Sequence, residues 1–210
     1  MISRIINDTL FQRYPLIQKF YAYILQMSKI MNEFYLDIEW YTPTGVEVHQ
    51  RYLKTVLKRK LRLNNKVSIL RQYSKTDLDK QKQTNAIIPN IIHSLDANHL
   101  MNVIIKFNEI VGKPLITVHD CFGSHPNNSQ ALREIVKCEF AELYSDGEFI
   151  NKFHEKNLRK LIANGHLVTF DQEYEIFFVT NGKRRMIVPN PPSLGGFDVN
   201  QVKDSVHMIN

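Results

Sequence analysis

Between Ser94 and Pro126 the chain changes its hydrophobic period once, and abruptly, and that change limits what it can fold into. Leu100, Val103, Ile104, Phe107 and Val111 recur at intervals of three and four, the spacing of a helix that buries one face. The helix is expected to begin near Ser94 or Asp96, since either side chain can accept from the orphan amides of a first turn. Gly112-Lys113-Pro114 should end it, because Gly takes the left-handed exit and Pro cannot continue. Leu115-Ile116-Thr117-Val118 follows as a short, β-rich, largely apolar run, which reads as a buried strand, and it runs straight into His119-Asp120. A helix feeding a strand in this way gives an α+β class, mostly helical with short hairpins.

The flanking segments fit that class. From Leu10 to Tyr35, Ile17, Phe20, Tyr21, Ile24, Met27, Met31 and Phe34 fall mostly three or four apart and predict a long helix. LDIEWYTPTGVEVHQRY reads as two short strands joined through Pro43-Thr44-Gly45. After the polar run DLDKQKQTN and the central helix and strand, Asn127-Asn128-Ser129 opens a helix with Leu132, Ile135, Val136, Phe140, Leu143 and Tyr144 as its core face. A further helix is expected over Glu148 to Asn164. TFDQEYEIFFVTNGKRRMIVP then alternates around Asn181-Gly182, a strong hairpin signal. No repeat and no Gly/Ser-rich linker interrupts residues 1–210, so no internal boundary is drawn. With 210 residues, 43% of them hydrophobic, the chain can bury a core.

Charge narrows the partners. The 27 Lys and Arg against 21 Asp and Glu leave +6, with a pI near 9.2, which favours a polyanion such as nucleic acid. Lys54, Lys58, Arg59, Lys60, Arg62 and Lys66 lie on a mixed apolar frame; they suit a stripe that follows phosphates, or equally a solvated charged face. The two cysteines, Cys121 and Cys138, form no spaced framework, so free thiols are expected and Cys121 reads as a small buried residue. No run of about 18 apolar residues could span a membrane, and MISRIINDTL has no apolar signal region. Abundant Asn and Ile have AT-rich codons, which points to an organellar genome or a plasmid.

Asp120 is the residue with the clearest chemical use. A carboxylate at the end of a strand, exposed by a tight turn, suits Mg²⁺, which wants oxygen ligands and shares one or two carboxylates with substrate phosphates. In two-metal nucleotidyl transfer, such ions clamp the attacking and leaving oxygens. Taken alone, the same Asp could simply satisfy turn amides. His93 could equally cap the following helix or pack in the core. A zinc site from His93, His99, His119, His125 and the cysteines is disfavoured, since their spacings form no closed set.

Three blocks change the weight of these readings. LITVHDCFGSHP resembles motif C of the single-subunit, bacteriophage-type DNA-dependent RNA polymerases, of the form LIHDSFGTHP. AIIPNIIHSLDANHLMN is similar to that family's PNFVHSLDSSHL segment, and WYTPTGVEVHQRY to its W-x-T-P-x-G-x-P-V-x-Q-x-Y element. PNPPSLGGFDVNQVKDS resembles the closing P-P-x-x-G-x-F-D-L-x-x-V-x-x-S segment, so the likeness spans about residues 38 to 205. The resemblance implies a C-terminal palm-and-fingers portion with motif C as a β-hairpin. It implies that Asp120 binds catalytic Mg²⁺, that the adjacent His119 lies near the primer end, and that His93 lies near the product end and incoming nucleotide. His99 also matches a family histidine, with packing as its expected role. The implied partners are template DNA, RNA product and ribonucleoside triphosphates, with Lys54, Lys58, Arg59 and Arg62 as candidate phosphate contacts. The implied compartment is the mitochondrion.

The family's motif A, with the other metal aspartate, and motif B, with a Lys and a Tyr for the triphosphate, have no counterpart here. The isolated chain is therefore expected to be inactive without a polypeptide that carries them. The family's aromatic closing residues are replaced by Ser205-Val206-His207-Met208-Ile209-Asn210, read as a natural end. A family A DNA polymerase would place Glu after the motif C Asp, whereas Cys121-Phe122-Gly123 follows here. The alternative of another class is a non-catalytic nucleic-acid-binding remnant; a functionless reading frame fits the intact periodicity less well.

Overall fold

A computed structural model of the chain describes residues 9–63, 66–145, 147–182 and 184–206. The order is helix α1 (Pro15–Glu33), strands β1 (Ile38–Tyr41), β2 (Glu47–Gln50), β3 (Leu53–Leu63) and β4 (Lys66–Leu78), then helix α2 (Lys80–Ile110). Strands β5 (Ile116–Val118) and β6 (Cys121–Gly123) lead to helices α3 (Ser129–Ser145) and α4 (Phe149–Ala163), and strands β7 (Leu167–Asp171), β8 (Ile176–Asn181) and β9 (Arg184–Val188) follow. Two two-stranded hairpins precede α2, a third follows it, and the three-stranded sheet β7-β8-β9 follows α4, so the class is α+β as expected. The atypical end at residues 207–210 lies outside the described residues.

The chain forms two compact units. The first gathers the described residues up to Trp40, His49–Asn90 and Phe153–Pro192; the second gathers Tyr41–Val48, Ile91–Lys152 and the segment from Ser193 onward. In the first, Ile24, Met27 and Met31 of α1, Trp40 of β1, Phe153 and Leu161 of α4, and Val179 and Val188 of the sheet are buried. Polar side chains fix the strands there. Gln50 and Gln83, both buried, donate reciprocally to each other's backbone carbonyls at 2.8 and 3.0 Å. In the second unit Val103, Phe107, Leu132, Ile135 and Val136 form the core, with Phe122 packed against it.

Several expectations are corrected. The first helical stretch is broken at Tyr14: residues 9–13 are helical and α1 restarts at Pro15, a residue suited to a first turn, and Ile17 and Tyr21 stay exposed while Ile24, Met27, Met31 and Phe34 are buried. The central helix begins at Lys80, not near Ser94 or Asp96. Asp79 caps it, accepting from the Lys82 amide at 3.0 Å, so much of the polar run 77–85 is its first turns. The helix continues through Pro89. A helix-interior proline loses one hydrogen bond and costs about 3 kcal/mol; burying Ile87 and Ile91 on either side, at about 1.5–3 kcal/mol each, offsets that.

The apolar run at the centre is not a buried strand. Ile116 and Val118 are 70% and 62% exposed, because β5 pairs only with β6 and one face of that hairpin is uncovered. Only the Thr117–Phe122 side turns toward the core. Cys121, expected to be buried, is exposed on the open side. Gly112 ends the helix as expected, with φ +60° and its amide on the Phe107 carbonyl at 3.3 Å.

Candidate functional site

Two elements of the second unit build the candidate site. Helix α2 presents His93, Asp96, Ala97 and Leu100 on one face, since side chains spaced three, four and seven apart stack along a helix. The turn of hairpin β5–β6 brings His119 and Asp120 to the same place. Together these six residues line one cleft of about 670 Å³.

The turn geometry explains why Asp120 is available. Val118 pairs directly with Cys121, so His119 and Asp120 alone make the connection. His119 takes a left-handed φ of +55°, which costs an L-residue about 1–2 kcal/mol and is a conformation in which His is over-represented. Strain of this kind gathers at functional turns. Asp120 is exposed, and among the described residues its one recorded partner is the Cys121 thiol, at 3.7 Å. No backbone amide reaches it there, so the turn-satisfying role that sequence left open is not the one it has.

The histidines separate by environment. His93 is exposed in the interior of α2 and is neither a cap nor a core residue. His99 packs: its Nε2 lies 2.9 Å from the Val136 carbonyl, and its ring meets Phe122 and Phe140 edge-on. His125 caps the short 3₁₀ turn Pro126–Asn128, its Nδ1 accepting from the Asn127 amide at 3.3 Å. Asp96 is the residue that sequence reasoning missed. Read as a cap, it instead lines the cleft one helical turn from His93, and the signal that would have found it was Asp79 as the true cap. Its charge also reaches Tyr144, whose phenol is held above its ordinary pKa first by burial and then by the Asp96 carboxylate. Two carboxylates and two imidazoles in an open cleft suit a hard cation and a phosphate ester.

Among the described residues the one group of three such side chains whose ligand atoms lie within 4.8 Å of one another is not in this cleft: it is Asp37, Glu39 and His49, in the first unit. Lys160 donates to Asp37 at 2.8 Å and also to Glu39, and Lys156 sits 3.7 Å from Glu39. Burial would raise the Asp37 pKa, but the Lys160 ammonium, its own backbone amide and Arg51 together hold it below the ordinary carboxylate value. That cluster already has its cations.

The basic stripe is a hairpin, β3–β4, split between two faces. In the regular part of the register Lys58 is opposite Arg71, Lys60 opposite Ile69 and Arg62 opposite Val67. Alternation therefore puts Lys58, Lys60, Arg62 and Arg71 on one face. Arg59 is on the other, with Leu57, Leu61 and Leu70. Lys54 lies where the register shifts. From Leu53 to Thr76 the sequence has no Asp or Glu, and Lys54, Lys58, Arg59 and Arg62 are all exposed.

The sequence model of the DNA-dependent RNA polymerase family matches residues 3–210. A probable DNA-directed RNA polymerase of Gelasinospora sp. (strain G114) is 33% identical over 210 residues, covering 97% of this chain and 24% of that protein. The mitochondrial DNA-directed RNA polymerase of Mus musculus is 29% identical over 82% of this chain and 14% of its own length. The DNA-directed RNA polymerase of Enterobacteria phage K11 is 30% identical over 60% of this chain and 15% of its own length. The chain spans about a quarter, or less, of the length of the curated relatives it matches.

Proposed function

The chain belongs to the single-subunit, phage-type DNA-dependent RNA polymerase family, and from that premise we propose that it is the C-terminal palm-and-fingers portion of such an enzyme. Residues 1–210 act as one piece, forming one side of a centre for template-directed nucleotidyl transfer from ribonucleoside triphosphates. The observation that carries this reading is the single cleft lined by His93, His119 and Asp120. Those are the residues whose motifs resemble the family's product-end and metal-binding elements, and they come from stretches of sequence 26 positions apart (119 − 93).

The donor chemistry fits Mg²⁺, because Asp120 offers an exposed carboxylate whose sole recorded partner is a weak thiol donor. A bound pair of these ions would supply charge neutralisation at the attacking and leaving oxygens, with Asp120 as one ligand and the motif A aspartate, which this chain lacks, as another. His119 and His93 would donate to product or nucleotide oxygens. The like-charged face of β3–β4 suits template or product phosphates through contacts that ignore base sequence. The uncovered face of Ile116 and Val118 suits packing by the part of the polymerase that carries motifs A and B. The mitochondrial relative and the abundance of Asn and Ile, residues with AT-rich codons, favour a mitochondrial setting, encoded by the organelle or a plasmid.

Primer extension tests this. The chain is mixed with a polypeptide bearing motifs A and B, an RNA primer on template DNA, ribonucleoside triphosphates and Mg²⁺. Extension should require both chains and vanish with Asp120→Asn, which removes a metal ligand without changing shape and should leave DNA affinity almost unaltered. Wild-type rates in that variant would overturn the assignment. A second reading, a nucleic-acid-binding remnant without catalysis, is favoured by the cationic hairpin; it predicts salt-dependent binding indifferent to Mg²⁺ and no extension with any partner.

A further inference from the structure

The three-stranded sheet β7-β8-β9 has one face against its own unit and one face only partly covered, where Thr169, Phe178 and Thr180 are half-buried. Val179 and Val188, fully buried, point to the covered side, and Phe177 on that side meets the His154 ring. On the other side the register aligns Leu167, Thr180 and Arg185 in one row and Thr169, Phe178 and Ile187 in the next. Leu167 and Ile187 are 63% and 51% exposed, and Arg185 is exposed as well. The Arg185 guanidinium carbon lies over the Phe178 ring, 3.6 Å from its centroid. Among the described residues no carboxylate pairs with that guanidinium.

We propose that this face is a stacking platform for single-stranded nucleic acid, separate from the cleft around Asp120. Strands about 4.8 Å apart and same-face residues about 6.8 Å apart give Phe178, its two Thr neighbours and Arg185 a patch the size of one or two bases. The Arg185 guanidinium, backed by the Phe178 ring, offers a stacking plane to any base, the hydroxyls of Thr169 and Thr180 can meet base edges, and the guanidinium edge can meet a phosphate. Duplex cannot use such a patch, because its bases are already stacked on one another.

The charge layout favours this occupant over a peptide. Arg185, exposed near the start of β9, lies toward one end of the sheet. The acidic residues Asp171, Glu173 and Glu175 are at the other, where Asp171 closes its own turn by accepting from the Glu173 and Tyr174 amides at 3.1 and 3.4 Å. The choice of a sugar–phosphate chain rests on the polymerase reading; the preference for a single strand rests on the face itself.

Fluorescence anisotropy on the full 210-residue chain would test it, with labelled mixed-sequence RNA of about twelve nucleotides as a single strand and as a duplex. Phe178→Leu keeps apolar volume and removes the ring. It should weaken single-strand binding roughly 5- to 150-fold, the span expected for one aromatic–base stack, and leave duplex binding unchanged. Arg185→Gln should act in the same direction, while Lys58→Ala in the hairpin should weaken both forms. If Phe178→Leu does not fold, photocrosslinking of 4-thiouridine RNA to the wild-type chain decides: crosslinks within 176–188 support the platform, and crosslinks elsewhere alone overturn it. Wild-type affinity in both sheet variants, equal loss for single strand and duplex, or self-association abolished by the variants would each overturn it. The anisotropy measurement needs neither Mg²⁺ nor a partner polypeptide, so a failed primer-extension assay leaves it intact.

Discussion

Reversing one charge on the β3–β4 hairpin should move stability and binding in opposite directions. Lys58 and Arg71 are direct cross-strand partners, and like charges placed opposite each other destabilise a ladder, whereas opposite charges stabilise it, by a few tenths to about 1 kcal/mol in each case. Lys58→Glu converts one situation into the other. Screening at this exposed position trims the gain, so the hairpin should be stabilised by about 1 kcal/mol, and amide exchange across 57–62 should slow roughly fivefold. If the four cations Lys58, Lys60, Arg62 and Arg71 all meet duplex phosphates, they set a slope of log affinity against log salt near −3.6, at about 0.9 per contact. Lys58→Glu should flatten that slope by about 1 and weaken binding most at low salt. The assays are anisotropy over a KCl series and hydrogen exchange on the free chain. An unchanged slope with unchanged affinity would refute the phosphate-contacting face, and faster exchange would refute the cross-strand repulsion.

Three further outcomes concern the first unit. Asn157 is fully buried, donates to the Glu39 and Phe153 carbonyls at 2.8 Å and accepts from the Glu39 amide at 3.2 Å; Asn157→Ala leaves both backbone groups of Glu39 without these partners. At about 1–3 kcal/mol each, the loss should be roughly 2–4 kcal/mol in urea unfolding, and less than about 1 would refute it. Burial holds the His154 imidazole below its ordinary pKa, against the opposing charge of Glu155. The folded state thus disfavours the charged form, and stability present above about pH 6.5 should fall as pH drops through the unfolded value toward the lowered one; His154→Gln should flatten that fall. Lys160→Ala removes the cation holding Asp37 ionised, so it should destabilise the chain near neutral pH and lose that effect as pH falls below about 4 and the carboxylate protonates. A penalty equal at both pH values would show that packing, not charge, is what Lys160 contributes.

How much of this was legible varies by element. The hairpins at Pro43-Thr44-Gly45 and Asn181-Gly182, the end of α2 at Gly112, and helices α3 and α4 follow from local rules, because turn dihedrals and apolar period are properties of the nearest few residues. The start of α2 was not legible. Pro89 argues locally against a helix, and what overrides it is the burial of Ile87 and Ile91, which requires the rest of the fold. For the same reason Asp96 was read as a cap and missed as a lining residue of the cleft.

The residue types and order of LITVHDCFGSHP determine, by themselves, a tight turn that ends in an exposed-capable carboxylate, and the neighbouring blocks determine the family. Tertiary structure alone decides that His93, Asp96, His119 and Asp120 share one cleft, since distance in space between a helix face and a hairpin tip is set by packing and not by sequence spacing. It alone decides that Ile116 and Val118 are exposed: whether an apolar strand is buried depends on what lies across from it. The same holds for Phe178 and Arg185, which come together only because β8 and β9 pair in one register, and a one-residue slip would put Arg185 on the covered face.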